Sequence, residues 1–158
     1  MDCIFCRIAK GDIPSATLYE DNEYRVILDL NPAAKGHALV LPRKHFDNAG
    51  GMTVRQLGRA MFIGAAVGKA LQEAYGYEGF NLVQNNGTAA GQSVFHFHLH
   101  VIPRREGDGV LPLWKPGTTT PAEMKETAET VGKALQHYLE PPVRLTDPIR
   151  RTIVAADK

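Results

Sequence analysis

Polar and apolar residues alternate through "ATLYED" and "EYRVILDL", with the turn-forming pair "DN" between them. This spacing predicts two strands joined as a hairpin. "NPAAKG" is a loop of turn-formers, and "HALVLP" after it is a continuous apolar run of strand length. "GFNLVQNN" predicts a fourth strand, and "SVFHFHLHVIPR" a fifth that ends at Pro103. Residues 3–10 suit a short helix, with Gly11 and Pro14 ending it.

Two longer stretches follow helical spacing. Thr53 with Gln56 three residues on is a capping box. Val54, Leu57, Met61, Val67 and Leu71 then recur on one stripe, and Gly76 is a C-terminal stop. Gly64 and Gly68 lie on that stripe, which suggests close packing of helix on sheet. A second helix starts after Thr120, with Pro121 in the first helical position and Glu123 completing a capping box. It runs to about Leu139 on Met124, Ala128, Val131 and Leu135, and His137 on it reads as a solvated surface residue. The predicted fold is therefore α+β, an antiparallel five-stranded sheet with two main helices. Residues 1–140 form the expected domain, and 141–158 an extended tail.

Composition narrows the class. The chain has 158 residues, 44% hydrophobic and 22% charged, enough for one domain with a real core. A net charge of +1 gives no bulk field for nucleic acid or membrane. No apolar stretch reaches transmembrane length, and "MDCIFCRIAKGD" lacks a basic-then-apolar leader pattern. The expectation is a cytoplasmic protein that binds neither nucleic acid nor membrane, in which Cys3 and Cys6 are thiols or metal ligands.

The fifth strand carries the candidate chemistry. His96, His98 and His100 are three of only six histidines, and they fall on alternate positions. On a strand they share one face, roughly 6.6 Å apart, while Phe97, Leu99 and Val101 point to the core. Three imidazoles in a row make a poor structural surface, because they repel when charged and need partners when buried. Two uses remain open on the residues alone: metal ligation, or a nucleophilic histidine supported by its neighbours. The loop "GTAAGQS" lies immediately upstream. Gly87 and Gly91 can bring backbone N–H groups close to a phosphate, and Gln92 and Ser93 add side-chain donors. "CIFC" is half of a zinc site, a redox dithiol, or two ordinary thiols on a short helix.

"HFHLHVI" fits His-x-His-x-His followed by two apolar residues, which resembles the signature of the histidine-triad (HIT) nucleotide hydrolases and transferases. "CIFCRIAKGDIPSATLYED", "LDLNPAAKGHALVLPRKHF" and "NNGTAAGQSVFHFHLHVIPR" resemble that family's N-terminal segment, ribose-side loop and phosphate loop with triad, so the resemblance runs roughly from Cys3 to Arg105. It implies that His98 attacks the α-phosphorus of a nucleoside phosphoramidate or dinucleoside polyphosphate, forming a nucleotidyl-histidine that water then releases. It also implies that His100 hydrogen-bonds the phosphate or leaving group and that His37 supports the triad. Asp29, Leu30, Asn85, Gly91, Gln92 and Ser93 fall at the nucleotide-binding positions of a purine nucleotide substrate. On the residues alone, Asp29 reads as a turn cap.

No cofactor is required for this chemistry. The resemblance to the galactose-1-phosphate uridylyltransferase branch implies a structural zinc held by Cys3, Cys6, His45 and His96. "CIFCRI" and "GHALVLPRKH" favour the phosphoramidase-like branch, whereas "AGQSVFHFHLHVIPRREGD" resembles the dinucleoside polyphosphate hydrolases. The family's habit implies a homodimer. Two other classes stay open: a metallohydrolase with His96, His98 and His100 as ligands, and a nucleotide-binding scaffold without turnover.

Overall fold

A computed structural model describes residues 3–111 and 115–139. The chain divides into two compact units, residues 1–112 and 113–158. In the first, α1 (Ile4–Lys10) leads into β1 (Thr17–Glu20), β2 (Tyr24–Leu28) and β3 (Ala38–Pro42). Then come α2 (Val54–Tyr75), β4 (Gly79–Val83) and β5 (Leu99–Arg104). The second unit contains α3 (Pro121–Leu139), opened by the expected capping box between Thr120 and Glu123. Its stripe Met124, Val131 and Leu135 is exposed. The expected tail, 141–158, lies outside the described residues. Among the described residues no helix is long and apolar enough to cross a membrane.

The five strands form one antiparallel sheet in the order β1-β2-β3-β5-β4. Alternation along the central strands gives it two covered faces. Tyr24, Val26, Ala38, Val40, Leu99 and Val101 turn toward α2 and form the main core with Phe97, Ala60, Ile63 and Leu71. Ile27, Leu39 and Leu41 form the opposite cluster with Ile8 of α1, and Phe5 and Ile13 pack against it. Helix α1 stops where Gly11 takes a left-handed conformation (φ 95°) and caps the carbonyls of Arg7 and Ile8.

Helix α2 starts and ends at the predicted signals: the Thr53–Gln56 capping box and a left-handed Gly76. Its buried stripe differs from the one expected. Val54 and Met61 are exposed, and the face against the sheet carries Ala60, Ile63, Gly64, Gly68 and Leu71, with Leu57 and Val67 partly buried. Small residues define this face because the bulk comes from the sheet. A Cβ on Gly64 would stand 2.9 Å from Leu99, and one on Gly68 would stand 2.5–2.6 Å from three ring carbons of Phe80. Close approach, not side-chain hydrophobicity, sets the stripe.

The fifth strand is also shorter than the pattern suggests. It begins at Leu99, and residues 92–98, including His96 and His98, run as an irregular segment before it. The backbone partners explain this: the Phe97 N–H donates to the Phe46 carbonyl at 2.6 Å, in the loop after β3, instead of to a ladder. At its far end β5 continues through Pro103 to Arg104. The missing N–H costs nothing there because pairing with β3 has already ended at Val101.

The glycines of α2 separate two opposing effects. Gly58 is an exposed helical position, and a Cβ placed there would meet no atom within 4 Å, so Gly58→Ala should raise stability by about 0.5–1 kcal/mol. Gly68→Ala gains the same propensity but forces a clash with Phe80, and overpacking costs about 1–3 kcal/mol, so it should lower stability. Thermal denaturation of the two variants checks this, and a melting temperature that rises for both would refute the close-packing account.

Candidate active site and metal-ligand cluster

Two loops that leave opposite ends of the antiparallel β3–β5 pair bring the candidate residues together over one face of the sheet. The first, between β2 and β3, starts at Asp29 and ends at His37. It is closed by the Asp29 N–H donating to the His37 carbonyl at 2.9 Å. The second runs from β4 to β5. It holds Asn85, a tight turn at Thr88–Ala90 between Gly87 (φ 88°) and Gly91 (φ 85°), and then His96 and His98. Such φ values favour glycine, so the turn is written into the sequence. A Cβ on Gly91 would lie 3.6 Å from the Asn85 Nδ2, which sets Asn85 beside the turn.

The partners of each imidazole fix its protonation. His98 lies 4% exposed, with Nδ1 2.7 Å from the His96 carbonyl. A carbonyl can only accept, so Nδ1 holds a proton, and in the neutral ring Nε2 keeps its lone pair. Phe5 packs edge-on against that ring, with centroids 5.1 Å apart. His100 follows a chain of three groups. The Ala33 N–H donates to His37 Nδ1 at 3.1 Å, so His37 carries its proton on Nε2. That proton goes to His100 Nδ1 at 2.9 Å, which leaves His100 with an N–H on Nε2. The rings of His98 and His100 are 4.9 Å apart, so a nitrogen lone pair and an N–H donor stand side by side. Burial is the main cause that lowers the His100 pKa from 6.5 to about 4, with His98 and His37 adding to it, and burial lowers His37 as well. Both rings are neutral near pH 7, as the hydrogen-bond chain requires. Asp29 Oδ2 stands 3.8 Å from His37 Nε2, and Asp29 Oδ1 accepts from the Asn31 N–H at 2.8 Å.

His96 faces elsewhere. It is fully buried, and its Nε2 lies 3.0 Å from the Pro42 carbonyl, so its Nδ1 is the bare nitrogen. His45 likewise sets Nε2 3.0 Å from Asp47 Oδ1 and turns Nδ1 inward. The two Nδ1 atoms are 3.2 Å apart, and Cys6 Sγ is 3.3 and 3.4 Å from them, with Cys3 Sγ 3.6 Å from His96. Two ring nitrogens this close share either a proton or a metal ion. Tetrahedral zinc bond lengths imply edges of about 3.3 Å between nitrogens and about 3.6 Å between nitrogen and sulfur. The four donors fit that polyhedron, and the outward N–H of each histidine has an acceptor that holds the ring in place. Burial and the neighbouring Cys3 push the Cys6 thiol up, which a bound cation would reverse.

The expected residues thus separate into two groups. Asp29, His37, His98 and His100 meet at one site, and Cys3, Cys6, His45 and His96 form the other. Among the described residues the three triad rings share no metal-sized point: only His96 joins the cysteines, and only His100 joins Asp29 and His37. Leu30 stands out at 93% exposed, and Ser93 is exposed beside the glycine turn. Gln92 departs from the expected outward role. It is 2% exposed, and its amide is fully engaged with protein partners. Asp47 was not anticipated, although its place two residues after His45 is a local signal. The carbonyls of Pro42 and His96 and the amide of Ala33 leave no trace in residue identity.

The HIT domain family matches residues 10–107. The chain is 37% identical over 137 residues to the protein named hit of Bacillus subtilis, covering 85% of this chain and 94% of the relative. It is 36% identical to the adenosine 5′-monophosphoramidase of Schizosaccharomyces pombe, covering 86% of this chain and all of that one (100%). A zinc-bound histidine triad family protein from Mycobacterium smegmatis superposes with a TM-score of 0.67 at 33% identity, covering 85% of this chain and 98% of that one. With the triad, its supporting loops and the five-stranded sheet in place, the chain belongs to the HIT family.

Proposed function

We propose that this protein is a nucleotide hydrolase or transferase that cleaves at the α-phosphorus of a purine nucleoside phosphoramidate or dinucleoside polyphosphate. The observation that carries the reading is the bond from His98 Nδ1–H to the His96 carbonyl, which leaves Nε2 free to act as a nucleophile beside the His100 ring. The similarity to the S. pombe monophosphoramidase supports the phosphoramidate class of substrate.

The reaction follows from the positions of the groups. His98 Nε2 forms a bond to the α-phosphorus while the bond from phosphorus to the leaving nitrogen or oxygen breaks. The Thr88 and Ala89 N–H groups, which the turn's own bonds leave unused, and Ser93 are the donors that stabilise charge on the phosphoryl oxygens in this reading. The His100 Nε2–H donates to the phosphate or the leaving atom, supported by His37. Water then attacks the nucleotidyl-His98, releasing the mononucleotide and restoring the ring. Asp29 accepts hydrogen bonds from the ribose hydroxyls, with Leu30 and Asn85 beside the nucleotide. No cofactor takes part in these steps.

Zinc belongs to the fold in this reading. Cys3, Cys6, His45 and His96 would hold it in a closed tetrahedral site, so it would anchor α1 and the segment before β5 and supply no open position for chemistry. Residues 1–140 act as the catalytic domain, with all the site residues in the first compact unit. The edges of β1 and β4 leave strand hydrogen-bonding groups to be covered, which suits a homodimer. Two unpaired thiols suit the reducing cytoplasm.

His98→Asn should lower turnover of an adenosine phosphoramidate on the order of a thousandfold or more while leaving adenosine monophosphate binding largely intact. His100→Ala should cost about a hundredfold, because it removes a donor and not the attacking atom. Steady-state kinetics with parallel binding assays measure both, and equal residual activity in His96, His98 and His100 variants would reject the assignment. Protein purified without chelator should contain one zinc per chain by elemental analysis. Cys3→Ser should lose most of it and melt at lower temperature, with less effect on the folded fraction's turnover. A metal-free protein with both thiols reactive would eliminate the zinc site and leave the phosphoryl chemistry standing.

Acid should unfold the protein from the histidines inward. An unfolded His100 takes up its proton near 6.5 but the folded one only near 4. The unfolded state therefore binds more protons between those values, and stability is lost as pH falls from about 6.5 toward about 4. Melting temperatures over that range should show the decline, with a shallower slope in His100→Asn. An unchanged slope would mean that the ring titrates normally in the fold.

A further inference from the structure

The side chain of Gln92 joins three backbone segments that no ladder connects. Its Oε1 accepts the Gly87 N–H at 2.8 Å, at the start of the glycine turn. Its Nε2 donates to the Val94 carbonyl at 3.1 Å and to the Asp47 carbonyl. Asp47 sits two residues beyond His45 and accepts that ring's N–H at 3.0 Å. At 2% exposed, with both amide N–H groups and its oxygen engaged by backbone, Gln92 has no uncommitted donor to offer a nucleotide. The turn itself holds only short-range bonds, from Ala90 and Gln92 N–H to the Gly87 carbonyl and from Gly91 N–H to Thr88.

From these contacts we infer that Gln92 is the positioning residue of the phosphate loop. It clamps the turn between Gly87 and Gly91 to the loop that carries His45, so that the N–H groups the turn leaves unused, those of Thr88 and Ala89, keep one orientation for the phosphate. This rests on the nucleotide reading above and extends it, because the amide acts through the loop and not on the substrate. A buried amide with both donors and its acceptor matched fixes orientation sharply, since rotating or shortening it leaves a carbonyl or N–H unpaired. Loops gain such order only when something offsets their freedom, and the turn's two positive-φ glycines make it intrinsically loose.

The role predicts a loss confined to phosphate recognition. Gln92→Met keeps the length and removes all three hydrogen bonds. Gln92→Glu keeps the acceptor for Gly87 and loses the donors. Affinities for adenosine monophosphate and for adenosine are measured by calorimetry on the full chain, alongside kcat and KM for an adenosine phosphoramidate. In Gln92→Met the preference for the monophosphate over adenosine should shrink about tenfold, with adenosine binding nearly unchanged. Gln92→Glu sets a carboxylate oxygen against the Asp47 and Val94 carbonyls and should lose at least as much, and kcat should fall along with the weaker monophosphate binding. A parent protein that prefers the monophosphate, with that preference intact in both folded variants, would overturn the role of Gln92 and leave the proposed function untouched. Equal loss of adenosine and monophosphate binding would also overturn it, because it would reduce Gln92 to a structural strut. A parent protein with no preference for the monophosphate would instead reject the nucleotide reading itself. Should Gln92→Met fail to fold, the same comparison in Gln92→Glu decides.

Discussion

A fully buried imidazole must settle both of its nitrogens, and His96 does so in opposite directions. Its Nε2 proton goes to the Pro42 carbonyl at the end of β3, and its bare Nδ1 faces two cysteines and His45. Its own carbonyl then receives the Nδ1 proton of His98. One residue therefore ties the sheet, the donor cluster and the neighbouring ring into a single arrangement. Its position also explains why the chain leaves the ladder before β5. A regular strand would spend the Phe97 N–H on a neighbour, whereas here it reaches Phe46, next to His45.

The rest of the fold serves this arrangement. The α2 face of the sheet is closed by a helix lying so near that Gly64 and Gly68 admit no side chain. The α1 face carries the imidazole rings, with Phe5 packed against both His96 and His98. The same alternation that buries Phe97, Leu99 and Val101 on one side presents the histidines on the other. Helix α2 also reaches the first loop, since Leu71 lies 2.6 Å from where a Cβ of Gly36 would be.

Much of this was legible in the sequence, for physical reasons. The caps of α2 and α3 are local hydrogen bonds between side chain and nearby backbone, so Thr53, Gln56, Thr120 and Glu123 announce them. Five strands and the grouping of His98 with His100 follow from a period of two. What escaped depends on distant atoms. The outward turn of Val54 and Met61 reflects glycines that let the sheet fill the interface, which a count of apolar residues cannot register. The inward turn of Gln92 depends on carbonyls of Asp47 and Val94, and backbone atoms look alike at every position. For the same reason the irregular path of residues 92–98 is invisible in a sequence whose alternation is unbroken.

The hydrogen-bond chain that orients His100 begins at the amide of Ala33, through His37. That origin makes the chain heritable in an unusual way. A main-chain N–H persists through every substitution at position 33 except proline, so the direction of the donor at His100 is shielded from most mutation there. Ala33 is exposed, and its side chain is free to drift while the atom that matters stays in place. Lineages can therefore vary the rim of this loop, and with it what the site admits, without reversing the polarity of the two histidines behind it.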